Sequence, residues 1–237
     1  MLGPVLWNIY VDDLLQQLPA VSAFADDCTL SCTYPRQDSG RAADEVNHQL
    51  MVIQEWGKRW QVTFAPEKTQ AMVVSRSPTA RPAVEGRIRF GGVPLPLQEA
   101  IKILGVEVDR GLRFDGHIKN IAKKASHRVS ALRRTASFLD RRGRLILYKA
   151  QIRPYLEYAA LSWMSCAATH TKKLDSIQRR AMRLVDAADP VAQPEPASPL
   201  DSLEHRRDVA ALVVFHKAQV QKVPHLAGLR QSSRVIA

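Results

Sequence analysis

The chain has 237 residues, 46% of them hydrophobic, enough for one large or two small globular cores. It carries 34 Lys and Arg against 23 Asp and Glu, a net charge of +11. Residues 1–80 hold 6 basic and 9 acidic side chains, net −3, and residues 81–237 hold 28 and 14, net +14. An acidic part joined to a basic part suits a metal site beside a polyanion-binding surface. No apolar run approaches the ~20 residues of a membrane span, and no basic-then-apolar leader opens the sequence, so no membrane partner is expected. Cys28, Cys32 and Cys166 form no CxxC or Cys/His cluster. The expectation is reduced thiols in an intracellular protein, nuclear or cytoplasmic, without a zinc knuckle.

Residues 1–18 read as a helix, because Leu2, Val5, Leu6, Ile9, Tyr10 and Leu14 recur at three- and four-residue steps. Gly3-Pro4 sits at its start, where proline is tolerated, and Asp12 and Asp13 at its end read as surface charges. Two short runs flank Asp26 and Asp27: residues 21–25 are small and apolar, and residues 28–34, with Thr29, Leu30, Thr33 and Tyr34, are a β-favouring mix. Aspartate is depleted in strands and common in turns, so this stretch predicts a β-hairpin with both carboxylates at its tip. An Asp-Asp pair in a turn is ordinarily only solvated. It is also a stiff mount for a cation that prefers oxygen ligands, and Mg²⁺ is bound by one or two carboxylates plus substrate phosphates.

Residues 38–61 predict a second helix, capped by Asp38 or Ser39, with Ala42, Val46, Leu50, Ile53, Trp56 and Trp60 as its apolar stripe. The tryptophans read as core. Pro66 breaks the preceding element, and residues 69–75 predict a strand. Residues 75–85 are a Pro/Ser/Arg-rich loop. Residues 87–93 give a strand, a glycine turn and a strand. Residues 101–109, IKILGVEVD, alternate and end in a turn. Gly105 there allows close backbone approach by another chain, and Lys102 is a candidate phosphate contact; an ordinary exposed hairpin fits the same residues.

From His117 the character changes. Ile118, Ile121, Ala122, Ala125, Val129 and Leu132 form one face of a helix, and Lys119, Lys123, Lys124, Arg128, Arg133 and Arg134 fill much of the rest. Such a helix can rest on a core and present cations to phosphates. Its apolar face is small, alanine-rich and free of aromatics, which favours nucleic acid over a lipid surface. Residues 141–153 predict a helix ending before Pro154, with Tyr155, Tyr158 and Trp163 in a buried helix or turn beyond it. Residues 171–186 predict a helix with Leu174, Ile177, Met182 and Val185 inside and Lys172, Lys173, Arg179, Arg180 and Arg183 outside. Residues 190–199 are a proline-rich linker, and residues 200–220 predict a last amphipathic helix before a disordered tail.

Phe24-Ala25-Asp26-Asp27 resembles the FADD box of reverse transcriptases from non-LTR retrotransposons, the jockey-like elements in particular. LGPVLWNIYVDDL at residues 2–14 is similar to the second half of a family box that opens with Pro-Gln-Gly and runs Leu-Gly-Pro-Leu-Leu-Phe-Asn-Ile-Tyr. The Trp-x-x-x-Trp pattern at Trp56 and Trp60, a lysine box at Lys68 with Ala65 where asparagine is usual, and KILGV at residues 102–106 follow in the family's order. The resemblance implies an α+β fold: a partial reverse-transcriptase palm, an antiparallel sheet with backing helices, over residues 1–110, a helical thumb over 111–188, and a linker, helix and tail over 189–237. It implies RNA-directed DNA polymerase chemistry, with Asp26 and Asp27 as metal-binding catalytic carboxylates, Mg²⁺ as cofactor, and Lys68 as a cation near the triphosphate. Lys102 and Gly105 would belong to a primer grip. Template RNA, primer DNA and dNTP are the implied partners. In the family the other metal-binding carboxylate and the fingers lie upstream of the matching segment. The expectation is therefore a chain that does not polymerise by itself, with a catalytically silent nucleic-acid-binding remnant as the alternative.

Overall fold

In the computed structural model, which describes residues 2–35, 38–75, 77–187 and 201–229, the chain divides into two units. One holds Met1–Ile101 with Asp109–Gly111, the other Lys102–Val108 with Leu112–Ala237.

The first unit is built on two helices. Helix α1 (Gly3–Gln17) starts with Pro4 in its first turn, where a missing N–H costs nothing. Its apolar residues do not form one buried stripe as the spacing predicts. Val11 and Leu14 are buried, whereas Leu2, Val5, Leu6 and Ile9 are exposed. Helix α2 (Ser39–Trp60) ends at Gln61 in the left-handed conformation, φ 56°. Asp38 occupies its N-cap, but the Asp38 side chain makes no capping bond. Leu50, Ile53 and Trp56 of α2 share a core with Val11, Leu14, Leu18, Val21, Phe90 and Leu95. Trp60 lies at the edge of this core, 41% exposed. Asp13 is more than a surface charge: its Oδ2 accepts the indole N–H of Trp56 at 3.0 Å and of Trp60 at 3.2 Å.

The strands of this unit are short. Strands β1 (Val21–Phe24) and β2 (Asp27–Leu30) form one antiparallel hairpin, and β3 (Arg89–Phe90) and β4 (Val93–Pro94) another. Strands β5 (Ala100–Ile103) and β6 (Val106–Asp109) pair where the chain passes between the units. Each pair is a separate two-stranded sheet, so the described residues show small antiparallel sheets among helices and not one continuous sheet. The strand predicted over residues 69–75 is reduced to a single bridge between Ala71 and Leu97. Beyond Leu97 the partner segment enters β5 at Ala100 and pairs with β6, and the Ser75 amide donates to the Arg110 carbonyl.

The second unit is a helical cluster. Helix α3 (Asp115–Thr135) runs parallel to α7 (Ala168–Val185): His170 pairs with Asp115 at 3.4 Å, and ten residues on Arg180 reaches Ser126. Between them lie α4 (Arg141–Leu147), α5 (Arg153–Glu157) and α6 (Ala160–Trp163). The helix predicted to stop before Pro154 instead continues through it. A π turn at Tyr148–Ile152 precedes α5, and Pro154 falls in the first turn of α5, where no donor is required. Trp163, Leu156, Leu174, Ala181 and Val185 are fully buried in this core. Helix α8 (Leu203–Gln219) is capped by Ser202, whose hydroxyl accepts from the His205 amide at 3.1 Å. It is not cleanly amphipathic, since Leu212, Val213 and Phe215 are exposed while Leu203, Arg207 and Ala218 are buried. The predicted linker at 190–199 and the end of the tail lie outside the described residues.

Candidate catalytic tip and nucleic-acid face

The β1–β2 register pairs Val21 with Leu30 and Phe24 with Asp27, which leaves Ala25 and Asp26 as a two-residue turn. Asp26 stands in that turn and Asp27 opens β2, so the second carboxylate is the first paired residue beyond the tip. Both are exposed. Ala25 adopts the left-handed conformation, φ 53°. Its carbonyl accepts the indole N–H of Trp7 at 2.7 Å, which ties α1 to the turn. Burial pushes the neighbouring Cys28 thiol up, and the charges of Asp27 and Asp26 push it further. The two carboxylates thus create a local anionic field at the tip.

Exposed, adjacent carboxylates on a stiff turn fit one flank of a Mg²⁺ site, because Mg²⁺ keeps water and phosphate oxygens for the remaining positions. Among the described residues no group of three or more His, Cys, Asp and Glu side chains could hold a metal.

Lys68 closes a 3₁₀ turn, Pro66–Lys68. The Ala65 carbonyl organises it, accepting from the Lys68 amide at 3.1 Å, the Thr69 amide at 3.2 Å and the Thr69 hydroxyl at 2.9 Å. The Lys68 side chain is exposed, and among the described residues it makes no ion pair with Asp26 or Asp27.

Lys102 is exposed on β5. The turn after it contains Leu104 at φ 45° and Gly105 at φ 87°. A Cβ on Gly105 would meet the Tyr158 ring at 3.3 Å, so the close approach at this glycine is made by a side chain of the same unit. The Tyr158 hydroxyl donates to the Leu104 carbonyl at 2.6 Å. Further along β6, the Glu107 amide donates to Nδ1 of buried His117 at 3.3 Å, and the Glu107 carboxylate accepts from Asn120 at 2.8 Å.

The basic residues of α3 separate into two strips. Lys119, Lys123 and Ser126 recur at four- and three-residue steps and share one face. Arg180 of α7 joins that face by donating to the Ser126 hydroxyl at 3.0 Å. A neutral acceptor leaves its charge and remaining N–H groups available. Lys173, seven residues before Arg180, falls on the same side of α7. Lys124 and Arg128 occupy the next strip. Lys124 is exposed. Arg128 is engaged: it donates to the Tyr155 hydroxyl at 2.6 Å and its guanidinium lies 4.0 Å from the centre of that ring. The expected phosphate contact is therefore already committed to an internal aromatic, a stacking that suits a planar guanidinium.

Three contributors escaped sequence reasoning. Trp7, Tyr158 and Arg180 act through partners 18, 54 and 54 residues away. Trp7 alone left a local signal, an indole donor at the position where the family box has phenylalanine.

The family described as reverse transcriptase (RNA-dependent DNA polymerase) matches residues 1–108. The chain is 28% identical over 200 residues to the probable RNA-directed DNA polymerase from transposon X-element of Drosophila melanogaster, covering 80% of this chain and 21% of that protein. It is 29% identical over 186 residues to a putative 115 kDa protein in the type-1 retrotransposable element R1DM of the same species, covering 75% and 18%. It is 26% identical over 201 residues to the RNA-directed DNA polymerase from mobile element jockey of Drosophila funebris, covering 79% and 21%. The chain thus spans about a fifth of the length of these relatives. No solved structure matches it.

Proposed function

We propose that this chain, whose residues 1–108 match the family described as reverse transcriptase (RNA-dependent DNA polymerase), supplies part of the catalytic palm and a nucleic-acid-binding thumb to RNA-directed DNA synthesis. The observation that carries the reading is the exposed Asp26-Asp27 pair on a two-residue turn, preceding in one chain a helical unit with exposed lysines.

In this reading Asp26 and Asp27 hold Mg²⁺, which, when bound, neutralises charge developing on the attacking and leaving oxygens of nucleotidyl transfer. The chain's own carboxylates fix where that charge is placed. Lys68, exposed and unpaired with the tip, is the candidate cation for the dNTP triphosphate. Lys102, beside the Leu104–Gly105 turn, faces the primer DNA, and Lys119, Lys123 and Arg180, with Lys124 on the adjoining strip, follow the backbone of the template RNA–primer DNA duplex. Because two adjacent carboxylates supply only one flank of such a site, the same proposal holds that this polypeptide by itself binds nucleic acid and does not extend a primer.

Fluorescence anisotropy with a labelled RNA–DNA hybrid, followed by primer extension with Mg²⁺ and dNTPs on the same hybrid, tests both parts. Salt-sensitive binding without extension is expected. Failure to bind at low salt would remove the nucleic-acid reading, and extension abolished by Asp26→Asn would show that the ligand set is complete.

A further inference from the structure

The hairpin tips of this chain differ in one respect that sequence alone does not explain. The β3–β4 turn uses Gly91 and Gly92, at φ 58° and 79°, and glycine adopts that conformation without steric cost. The other two tips place a side-chain-bearing residue there, Ala25 at φ 53° and Leu104 at φ 45°. Such residues persist in the left-handed region only where the surroundings determine it. At both, the carbonyl of the strained residue accepts a hydrogen bond from an aromatic side chain of a helix or helix end: Trp7 Nε1 to Ala25 at 2.7 Å, Tyr158 Oη to Leu104 at 2.6 Å. No aromatic side chain donates to the Gly91–Gly92 turn among the described residues; its contact is Arg89 to the Gly92 carbonyl at 3.5 Å.

We propose that Trp7 and Tyr158 are positioning residues that hold the Ala25–Asp26 and Leu104–Gly105 turns in their left-handed form, the first setting the direction of the tip carboxylates and the second setting the turn beside Lys102. This rests on the reading of those two tips as the metal-bearing and primer-facing points.

The supports of each donor agree with this role. Trp7 makes a tilted ring contact with Tyr10, centroids 6.0 Å apart, and the Tyr10 hydroxyl donates to the Trp60 carbonyl, which links the indole to the end of α2. Tyr158 has its own carbonyl held by the indole N–H of fully buried Trp163 at 3.0 Å. Its ring lies close against Gly105, 3.3 Å from where a Cβ would stand. Each donor is therefore anchored to the core of its own unit and reaches out to a solvent-facing turn.

Trp7→Phe and Tyr158→Phe keep the ring and remove the donor. In hydrogen exchange of the full chain without nucleic acid, Trp7→Phe is expected to speed exchange at residues 25–28, and Tyr158→Phe at residues 104–107, about threefold to tenfold, the loss of one net hydrogen bond. Amides inside α2 and α3 should not change. Asparagine tolerates the left-handed region, so adding Ala25→Asn or Leu104→Asn to the matching Phe variant should restore slow exchange. Unchanged exchange in the Phe variants, or no rescue by asparagine, overturns the proposal. Because exchange is read on the free chain, a failure to bind the hybrid removes the functional reading and leaves this result standing on its own.

Discussion

Replacing Lys119, Lys123 and Arg180 together by alanine tests whether one face of α3 and α7 follows a phosphate backbone. Lys119 and Lys123 share a face with Ser126, and Arg180 is brought to that face by its 3.0 Å bond to Ser126. Each phosphate neutralised on a duplex contributes about 0.9 to the slope of log affinity against log salt. Three lost contacts should lower the magnitude of the slope by about 2.7. Between 50 and 200 mM salt one contact corresponds to about 3.5-fold in affinity, and three to about 40-fold. Anisotropy titrations with a labelled hybrid at several salt concentrations read this directly. Arg128→Met is the internal comparison, because the Arg128 guanidinium already stacks on Tyr155 and donates to its hydroxyl. That variant should lose folding stability and keep the parental salt slope. A triple variant with the parental slope, or an Arg128→Met variant that flattens the slope as strongly, would refute the assignment.

Three further outcomes follow from the geometry. Asp27→Asn removes one of the charges that hold the Cys28 thiol up, so thiol alkylation at mildly alkaline pH should be faster than in the parent; burial, the larger cause, remains, and an unchanged rate would contradict the local field. His117 is kept neutral by burial, with Glu107 opposing and Lys124 reinforcing the shift. Its pKa is lower folded than unfolded, so the unfolded chain binds the extra proton first, and stability should fall as pH drops below the ordinary histidine value of about 6.5. His117→Gln keeps an acceptor for the Glu107 amide and should flatten that dependence in urea melts at pH 5 to 7; an equally steep curve would contradict it. Arg144 is 4% exposed and donates to the carbonyls of Leu139, Leu184 and Ala187 at 2.9, 3.1 and 2.9 Å. Arg144→Met should cost about 3 kcal/mol, read as a lower urea midpoint at unchanged slope; a loss under ~1 kcal/mol would contradict it.

Some of this organisation is legible in the residues themselves. Asp26 and Asp27 between a small apolar run and a β-favouring run announce a hairpin, and the spacing from Ile118 to Leu132 announces the buried face of α3. Those signals are local, and the elements stand within a few residues of where the spacing puts them. What escaped was set by distant partners. Asp13 reads as a solvated acid until Trp56 and Trp60 arrive from 43 and 47 residues away. Arg128 reads as a phosphate contact until Tyr155 takes it. Pro154 reads as a stop until a π turn places it where no N–H is needed. The strand at 69–75 is cut short because the segment it would run along, from Leu97 onward, enters β5 at Ala100 and pairs with β6, and the Ser75 amide donates to the Arg110 carbonyl instead. The FADD, lysine and KILGV boxes carried the resemblance to reverse transcriptases, and the family match over residues 1–108 agrees with it.

The most direct test of the central claim, that the Asp26–Asp27 tip bears the metal of a nucleotidyl-transfer site, is paramagnetic broadening by Mn²⁺ of the amide resonances of residues 25–28. The sample is the full chain with a primed RNA template and a non-hydrolysable dNTP. The expected result is selective broadening at the tip, lost in Asp26→Asn and Asp27→Asn while the resonances of α3 stay sharp. Broadening that is absent at the tip, or that persists unchanged in both variants, would contradict the claim.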